Sequence, residues 1–290
     1  MDVNTQFFLA TLQTRDFFAR LRYKPGMAKF ARVIIWVAVA LTLLFPVPLS
    51  AGAKSAVQPL AATNILYDGT LNTGTPDTQG FFYLTYPLTG TQVTQVFSSP
   101  VTILDSTSRI SDYAGYFAKP IGYAPLDRVG GYQILFTTQI VTETHISPDR
   151  AGFSLLVESS DERGIELGFW SNEVWAQEGG SSNPFTHAES AAFTTTVDLV
   201  EYRLSVMGNN YTLAANGSTV LSGPLRDYTI APAPPLPINP YTTPNLIFLG
   251  DDTSSAQARI KLRYAAVINA PPFKMYLPLM SKNSTSARRA

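Results

Sequence analysis

The stretch that most limits what this chain can become is 150–177, RAGFSLLVESSDERGIELGFWSNEVWAQ. Within 153–158, Phe153, Leu155 and Val157 alternate with Ser154, Leu156 and Glu158. Within 164–170, Ile165, Leu167 and Phe169 alternate with Glu166, Gly168 and Trp170. Within 172–177, Val174 and Ala176 alternate with Glu173, Trp175 and Gln177. A period of two sends neighbouring side chains to opposite faces of a sheet, so three consecutive strands are predicted. Ser159 to Arg163 and the pair Ser171-Asn172 supply the turns. One face is aliphatic and aromatic and suits a core between two sheets. The other gathers carboxylates, an amide and two indoles, an unusual set for a face that merely meets water.

The rest of the chain agrees with an all-β reading. Its 290 residues are 45% hydrophobic and 14% charged, enough for one sizeable core, and Thr, Tyr, Phe and Val are abundant, as strands prefer. Short apolar runs at 65–67, 80–86, 91–97 and 101–104 are broken by turn residues, an irregular spacing that suits the edge of a sandwich. The longest strand is expected at 131–143, with Tyr132, Ile134, Phe136 and Ile140 on one face. A hairpin is expected across Gly208-Asn209, and Asn216-Gly217 turns the chain into 218–221. The proline-rich 231–245 reads as a loop capping one domain, because 246–250 and 256–269 beyond it still read as core strands. In the last of these, Ile260, Leu262, Tyr264, Ala266 and Ile268 make one apolar face, as a final strand pairing back to the beginning would.

The ends differ in character. Residues 27–53 have a basic start (Lys29, Arg32), an apolar run from Val33 to Leu49 and small residues up to Ala53, the pattern of a secretory signal cleaved before Lys54. Pro46 and Pro48 shorten the usable helix below the roughly 20 residues a membrane span needs. Membrane contact is therefore expected only if that segment stays uncleaved. Met27 is the expected true start, so 1–53 form an N-terminal extension and signal peptide, 54–63 a linker, 64–269 the β-sandwich domain and 270–290 a tail. Residues 1–53 hold six Lys/Arg and two Asp/Glu, leaving fifteen against nineteen in the remainder, about −4. No basic patch interleaved with aromatics is present, so no nucleic-acid partner is expected. The chain contains no cysteine, which excludes disulfides, thiolate metal sites and a cysteine nucleophile. Nucleotide-binding and serine-hydrolase motifs are absent as well.

Several segments together carry a family likeness: NILYDGTLNTGTPDTQGFF, GYQILFTTQIVTETHISPDRAGFSLLV, GIELGFWSNEVWAQ, FTHAES, YRLSVMGNNYTLAANGSTVLSGPLRDYT and NLIFLGDDTSSAQARIKL. They resemble the choice-of-anchor type of bacterial exported domain, which is similar to concanavalin A-like (laminin G-like) lectin and glucanase jelly rolls. The resemblance spans 64–269 and implies two antiparallel sheets, a secreted or cell-surface location and a device for surface attachment. It implies no particular substrate. A sortase motif is missing, and the ending MYLPLMSKN resembles a recurrent tail of exported bacterial proteins.

Three residue groups carry chemistry. Glu166, Trp170, Glu173, Trp175 and Gln177, with His187 as a peripheral contact, could stack indoles on sugar faces and accept hydroxyl hydrogen bonds. The partner would then be a polysaccharide or cell-wall glycan, and the protein a non-catalytic, lectin-like binding module. The same residues could instead form an outer face covered by a loop, in a purely structural surface protein. Glu166 and Glu173 could also serve as the paired carboxylates of a glycan-active hydrolase. Jelly-roll glucanases resembling this fold carry E-x-D-x-x-E or E-x-D-x-E on one strand, and here Glu166 has no second acid in that pattern. Finally, Asp251 and Asp252 could contribute to a calcium site, or make local hydrogen bonds in an Asp-rich turn.

Overall fold

The computed structural model describes residues 62–118, 123–180, 184–231 and 238–269, all within one compact unit, Gln58–Ala290. The expected signal segment, most of the linker and the tail lie outside the described residues. One sheet contains β1 (Ala62–Asp68), β3 (Thr94–Ser98), β4 (Val101–Asp105), β6 (Tyr132–His145), β11 (Val200–Met207), β12 (Asn210–Ala215), β13 (Ser218–Pro224) and β15 (Ala256–Asn269). Its order is β13-β12-β11-β6-β15-β4-β3, with β1 also on β15. The other contains β2 (Phe81–Tyr86), β5 (Tyr113–Ala118), β7 (Ser154–Glu158), β8 (Gly164–Phe169), β9 (Glu173–Gln177), β10 (His187–Ala192) and β14 (Ile247–Asp251). Its order is β10-β9-β8-β7-β14-β5-β2. Every pairing among the described strands is antiparallel, and the chain is an all-β, two-sheet jelly-roll sandwich. Among the described residues no helix is long and apolar enough to cross a membrane.

The two longest strands, β6 and β15, pair along their whole 14-residue lengths. β15 is long enough to hold two further partners end to end, β4 along Arg259–Leu262 and β1 along Tyr264–Asn269. The last strand thus closes on the first, as its apolar content implied. Its inward face is not the regular alternation expected. The register skips Arg263 between Leu262 and Tyr264, so this bulge hands the core from Ile260 and Leu262 to Ala265 and Val267. One extra residue reverses the parity of everything after it. Tyr264 and Ile268 are consequently only partly buried.

The eight inward residues of 153–176 identified by alternation all lie in the core between the sheets. Phe169 meets Phe136, Phe153 and Tyr202 at ring-centroid distances of 5.8, 5.5 and 5.1 Å. Asn216 and Gly217 take positive φ (48° and 83°) and join β12 to β13, the left-handed pair that a two-residue hairpin needs. The region 64–119 is not simply an edge. β4 lies between β15 and β3, and β5 between β14 and β2. β5, YAGYFA, was not recognised as a strand because its glycine and alanines blur the alternation. The same holds for the edge strand β10, HAESAA.

Phe169→Ala is expected to cost about 3–5 kcal/mol in chemical denaturation, as large-to-small core changes do. Leu88→Ala, at an exposed side chain, should stay within about 0.5 kcal/mol.

Candidate functional site

Strand register sets out the second face of the seven-stranded sheet. Leu156 pairs with Glu166 and Phe248, and Phe248 with Phe117. Leu167 pairs with Ala176, which brings Glu166 level with Gln177. One row therefore runs Gln177, Glu166, Leu156, Phe248, Phe117, and none of the five belongs to the core between the sheets. The acid–indole group does leave the sandwich interior. Much of it is nonetheless shut away from water: Glu166 is 2%, Gln177 1% and Trp175 0% exposed. Trp170, Glu173 and His187 are only partly buried.

The cover comes from 225–231, which leads into the proline-rich segment, and from 239–246 at its far end. At Arg226 the chain trades backbone hydrogen bonds with Gly164, N–H to O at 3.1 Å one way and 2.7 Å the other. The Asp227 carbonyl accepts from the Gly180 amide at 2.8 Å. This segment thus wedges in where β8 and β9 part. Beyond Leu167–Ala176 the phenol of Tyr228 fills the gap, accepting from the Glu166 amide at 3.1 Å and donating to the Gln177 carbonyl at 2.8 Å. Tyr241 stands in a short 3-10 turn, Pro240–Thr242, capped by Asn239 Oδ1 accepting from the Tyr241 amide at 3.1 Å. Its hydroxyl donates to Glu166 Oε2 at 3.1 Å and lies 3.4 Å from Asp252 Oδ2. Tyr228, Tyr241, Ala231 and Leu246 bury Leu156, Phe117 and Phe248 in a second, smaller apolar cluster. Arg226 anchors the base of the strap, pairing with Glu178 at 3.3 Å and with Glu189.

The layer beneath the strap is rich in acid. Arg150 lies over the Phe185 ring at 4.3 Å, with Nη1 3.7 Å from Glu166 Oε1. Burial first, then the neighbouring Asp252, pushes the Glu166 carboxyl up to about 8. Burial first, then Glu166, pushes Glu158 up to about 9. Asp252 is raised as well, chiefly by burial. A desolvated carboxyl group is cheaper to hold protonated than charged, so Glu158 and Glu166 keep their protons at neutral pH.

At the other end of the face four rings interlock. His145 stacks on Trp170 at 4.1 Å, His187 stacks on Trp175 at 4.2 Å, and the two indoles meet at 5.6 Å. Each imidazole meets a carboxylate: His145 Nδ1 is 3.0 Å from Glu143 and His187 Nε2 is 3.1 Å from Glu173. The other ring nitrogen of His187 faces the Pro148 carbonyl at 3.1 Å, so both nitrogens have polar partners. The Trp170 indole N–H donates to the Arg150 carbonyl at 2.9 Å. Trp175 lies so close over Gly168 that a Cβ there would fall 2.6 Å from the indole, which is why the strand carries glycine at that point.

Of the residues singled out in the sequence, Trp170, Trp175, Glu173 and His187 come together, while Glu166 and Gln177 lie under the strap. The two acids expected to pair for hydrolysis stand apart. Glu173 is level with Trp170, four residues along from Glu166, which at about 3.4 Å per residue separates the backbones by roughly 14 Å. Glycosidase carboxyl pairs sit about 5–10 Å apart. Asp251 and Asp252 do not converge either. Asp251 accepts from Ser106 Oγ at 2.5 Å and from the Thr253 amide at 3.1 Å, whereas Asp252 turns to Tyr241. Among the described residues no group of three His, Asp or Glu side chains is placed to hold a metal ion. Sequence reasoning missed Arg150, Glu158, Tyr228, Tyr241 and His145, which ends β6, as members of the site. Glu158 alone had a signal, since alternation puts it on the same face as Glu166.

No family model matches the chain, and no curated protein matches it. Solved structures do resemble it in fold. The conserved carbohydrate esterase vb_24B_21 from Shiga toxin-encoding bacteriophage phi24B matches with a TM-score of 0.51 and 12% identity, over 73% of this chain and 100% of that one. A protein of unknown function with a galectin-like fold from Bacillus subtilis matches at 0.44 and 9%, over 72% and 98%. The carbohydrate recognition domain of Emp46p, potassium-bound, matches at 0.43 and 9%, over 70% and 95%. Identities this low bear on the fold alone.

Two outcomes follow from the acid layer and the aspartate turn. Folded Glu158 and Glu166 hold protons that the unfolded chain releases above about pH 4.5, so stability should fall as pH rises from about 4.5 to 8–9. The fall is at most about 1.4 kcal/mol per pH unit per group. Glu158→Gln should flatten that slope and raise the melting temperature at pH 8, measured by pH-resolved thermal denaturation. Melting should also be indifferent to EDTA and added calcium.

Proposed function

We propose that this chain is an exported, non-catalytic carbohydrate-binding module, of the choice-of-anchor type its sequence resembles, working outside the cell or on its surface. The observation that carries this reading is the half-open cluster at the strap-free end of the outer face: Trp170, Glu173 and His187, flanked by His145. It combines indole and imidazole surface with a carboxylate at a partly accessible edge, the pairing that polyhydroxylated rings engage through C–H faces and hydroxyl groups. Glu173 would orient hydroxyls, and the Trp170–His145 stack would lie against the ring. Polysaccharide or cell-wall glycan is the partner this chemistry suits. The carbohydrate esterase of similar fold adds only that such a sandwich is compatible with carbohydrate work.

The test is a glycan array on the protein, followed by calorimetry on whichever glycan is retained. Trp170→Ala should weaken binding at least about 10-fold, in the range of a buried aromatic anchor, and Glu173→Gln several-fold, with the far-UV spectrum unchanged. Retained binding in Trp170→Ala would remove the reading.

A further inference from the structure

The polar half of the outer face already has an occupant, and the occupant is made of hydroxyls. Tyr228 satisfies the free amide of Glu166 and the free carbonyl of Gln177, and Tyr241 reaches the carboxyls of Glu166 and Asp252. These are the donors and acceptors that sugar hydroxyls would use on an uncovered sheet. We propose that the strap, 225–231 with 239–246, is an autoinhibitory occupant of this face. Its two phenols stand in for the hydroxyls of a polyhydroxylated ligand, and it lifts when the acids beneath it ionise.

The closure is imperfect. Seven buried side-chain polar atoms lack a hydrogen-bond partner among the described residues, and five lie on this side of the sheet: Arg150 Nη1, Glu158 Oε1 and Oε2, Trp175 Nε1 and Asp252 Oδ1. A face built only for permanent burial would satisfy such groups or dispense with them. The apolar grip is also small, a cluster of seven buried residues of which the strap supplies four.

The charges explain what would loosen it. Glu158 faces Glu166, Asp227, Glu162 and Arg163, with the phenols of Tyr132 and Tyr228 nearby. Glu166 faces Asp252, Arg150, Tyr241 and Tyr228. The Tyr241 hydroxyl has one proton to donate, so it can serve Glu166 or Asp252 but not both once both are charged. Arg150 is the cation of this group, and Arg163 is largely exposed. Loss of the Glu158 and Glu166 protons leaves like charges in a desolvated layer, and the strap is the segment packed directly over it. Lifting it would uncover Gln177, Glu166 and Leu156 beside the Trp170 and His187 end, extending one binding face across four strands.

What enters the uncovered face rests on the carbohydrate reading above. The lifting itself can be read without a ligand, by hydrogen exchange on the full chain. The Glu166 and Gly164 amides are bonded to strap groups, whereas the Phe169 amide of the same strand is bonded to Phe153. From pH 7 to 9.5 the protection of the first two, corrected for intrinsic exchange, should fall at least ~10-fold while Phe169 keeps its own. Glu158→Gln with Glu166→Gln should hold both amides protected to pH 9.5, and Tyr241→Phe should lower their protection already at pH 7. Strap-bonded amides that stay protected at pH 9.5, or that are lost only together with Phe169, would overturn the inference. Absent glycan binding with intact gating would instead remove the carbohydrate reading alone.

Discussion

A sheet buried on both faces must find partners for whatever polar groups its second face presents, because water is no longer there to solvate them. In this protein the second face carries Glu158, Glu166 and Gln177; the Gln177 side chain donates to the Asp149 carbonyl, and two phenols brought in from a distant stretch of chain meet the Glu166 amide, the Gln177 carbonyl and the Glu166 carboxyl. A phenol suits the task because its ring adds apolar area while its hydroxyl both donates and accepts. Tyr228 uses both capacities at the point where β8 and β9 part. The cover over this face depends on those contacts. Without them the wedge at Arg226 would bring the chain alongside β8 but leave the Glu166 carboxyl without its phenol partner.

Roofing divides the face into two regions of different character. Under the strap, burial raises the carboxyls, and Glu158 and Glu166 favour their protonated forms at neutral pH. Beyond its edge the rings of His145, Trp170, Trp175 and His187 pack on one another and the carboxylates of Glu143 and Glu173 meet imidazoles. The two regions share a sheet and adjoin through Trp175 and Gln177 on β9. The open end presents mostly aromatic rings and carboxylates, while further in the tyrosine hydroxyls already occupy the strand-edge donors and acceptors. The covered-face reading of the acid–indole group therefore describes the strap-covered part of this surface, while Trp170, Glu173 and His187 stay partly open.

The sandwich was largely legible in the text of the chain because its central strands obey strict alternation. Phe153 through Ala176 could be sorted into two faces, and the structure keeps that sorting. Legibility failed where one residue changes parity, as at the Arg263 bulge, and where small side chains erase the pattern, as in β5 with Ala114 and Gly115. It failed for the site wherever a residue acts from outside a strand. Tyr228 precedes and Tyr241 lies within a proline-rich stretch with no period, and Arg150 precedes the first strand of the trio; in one dimension nothing links them to Glu166.

Local pattern alone therefore determined that this would be an all-β chain with an apolar core face and an acid–indole face on the strands of 153–177, since side-chain direction in a strand depends only on position parity. Which part of the second face meets water was decided by tertiary structure, because solvent exposure depends on what packs above a residue. Tyr228 lies 62 positions from Glu166 along the chain and Tyr241 lies 75, yet each makes a hydrogen bond to it. The protonation of Glu158 and Glu166 was decided there too, because desolvation belongs to the folded environment and the residue type carries no trace of it.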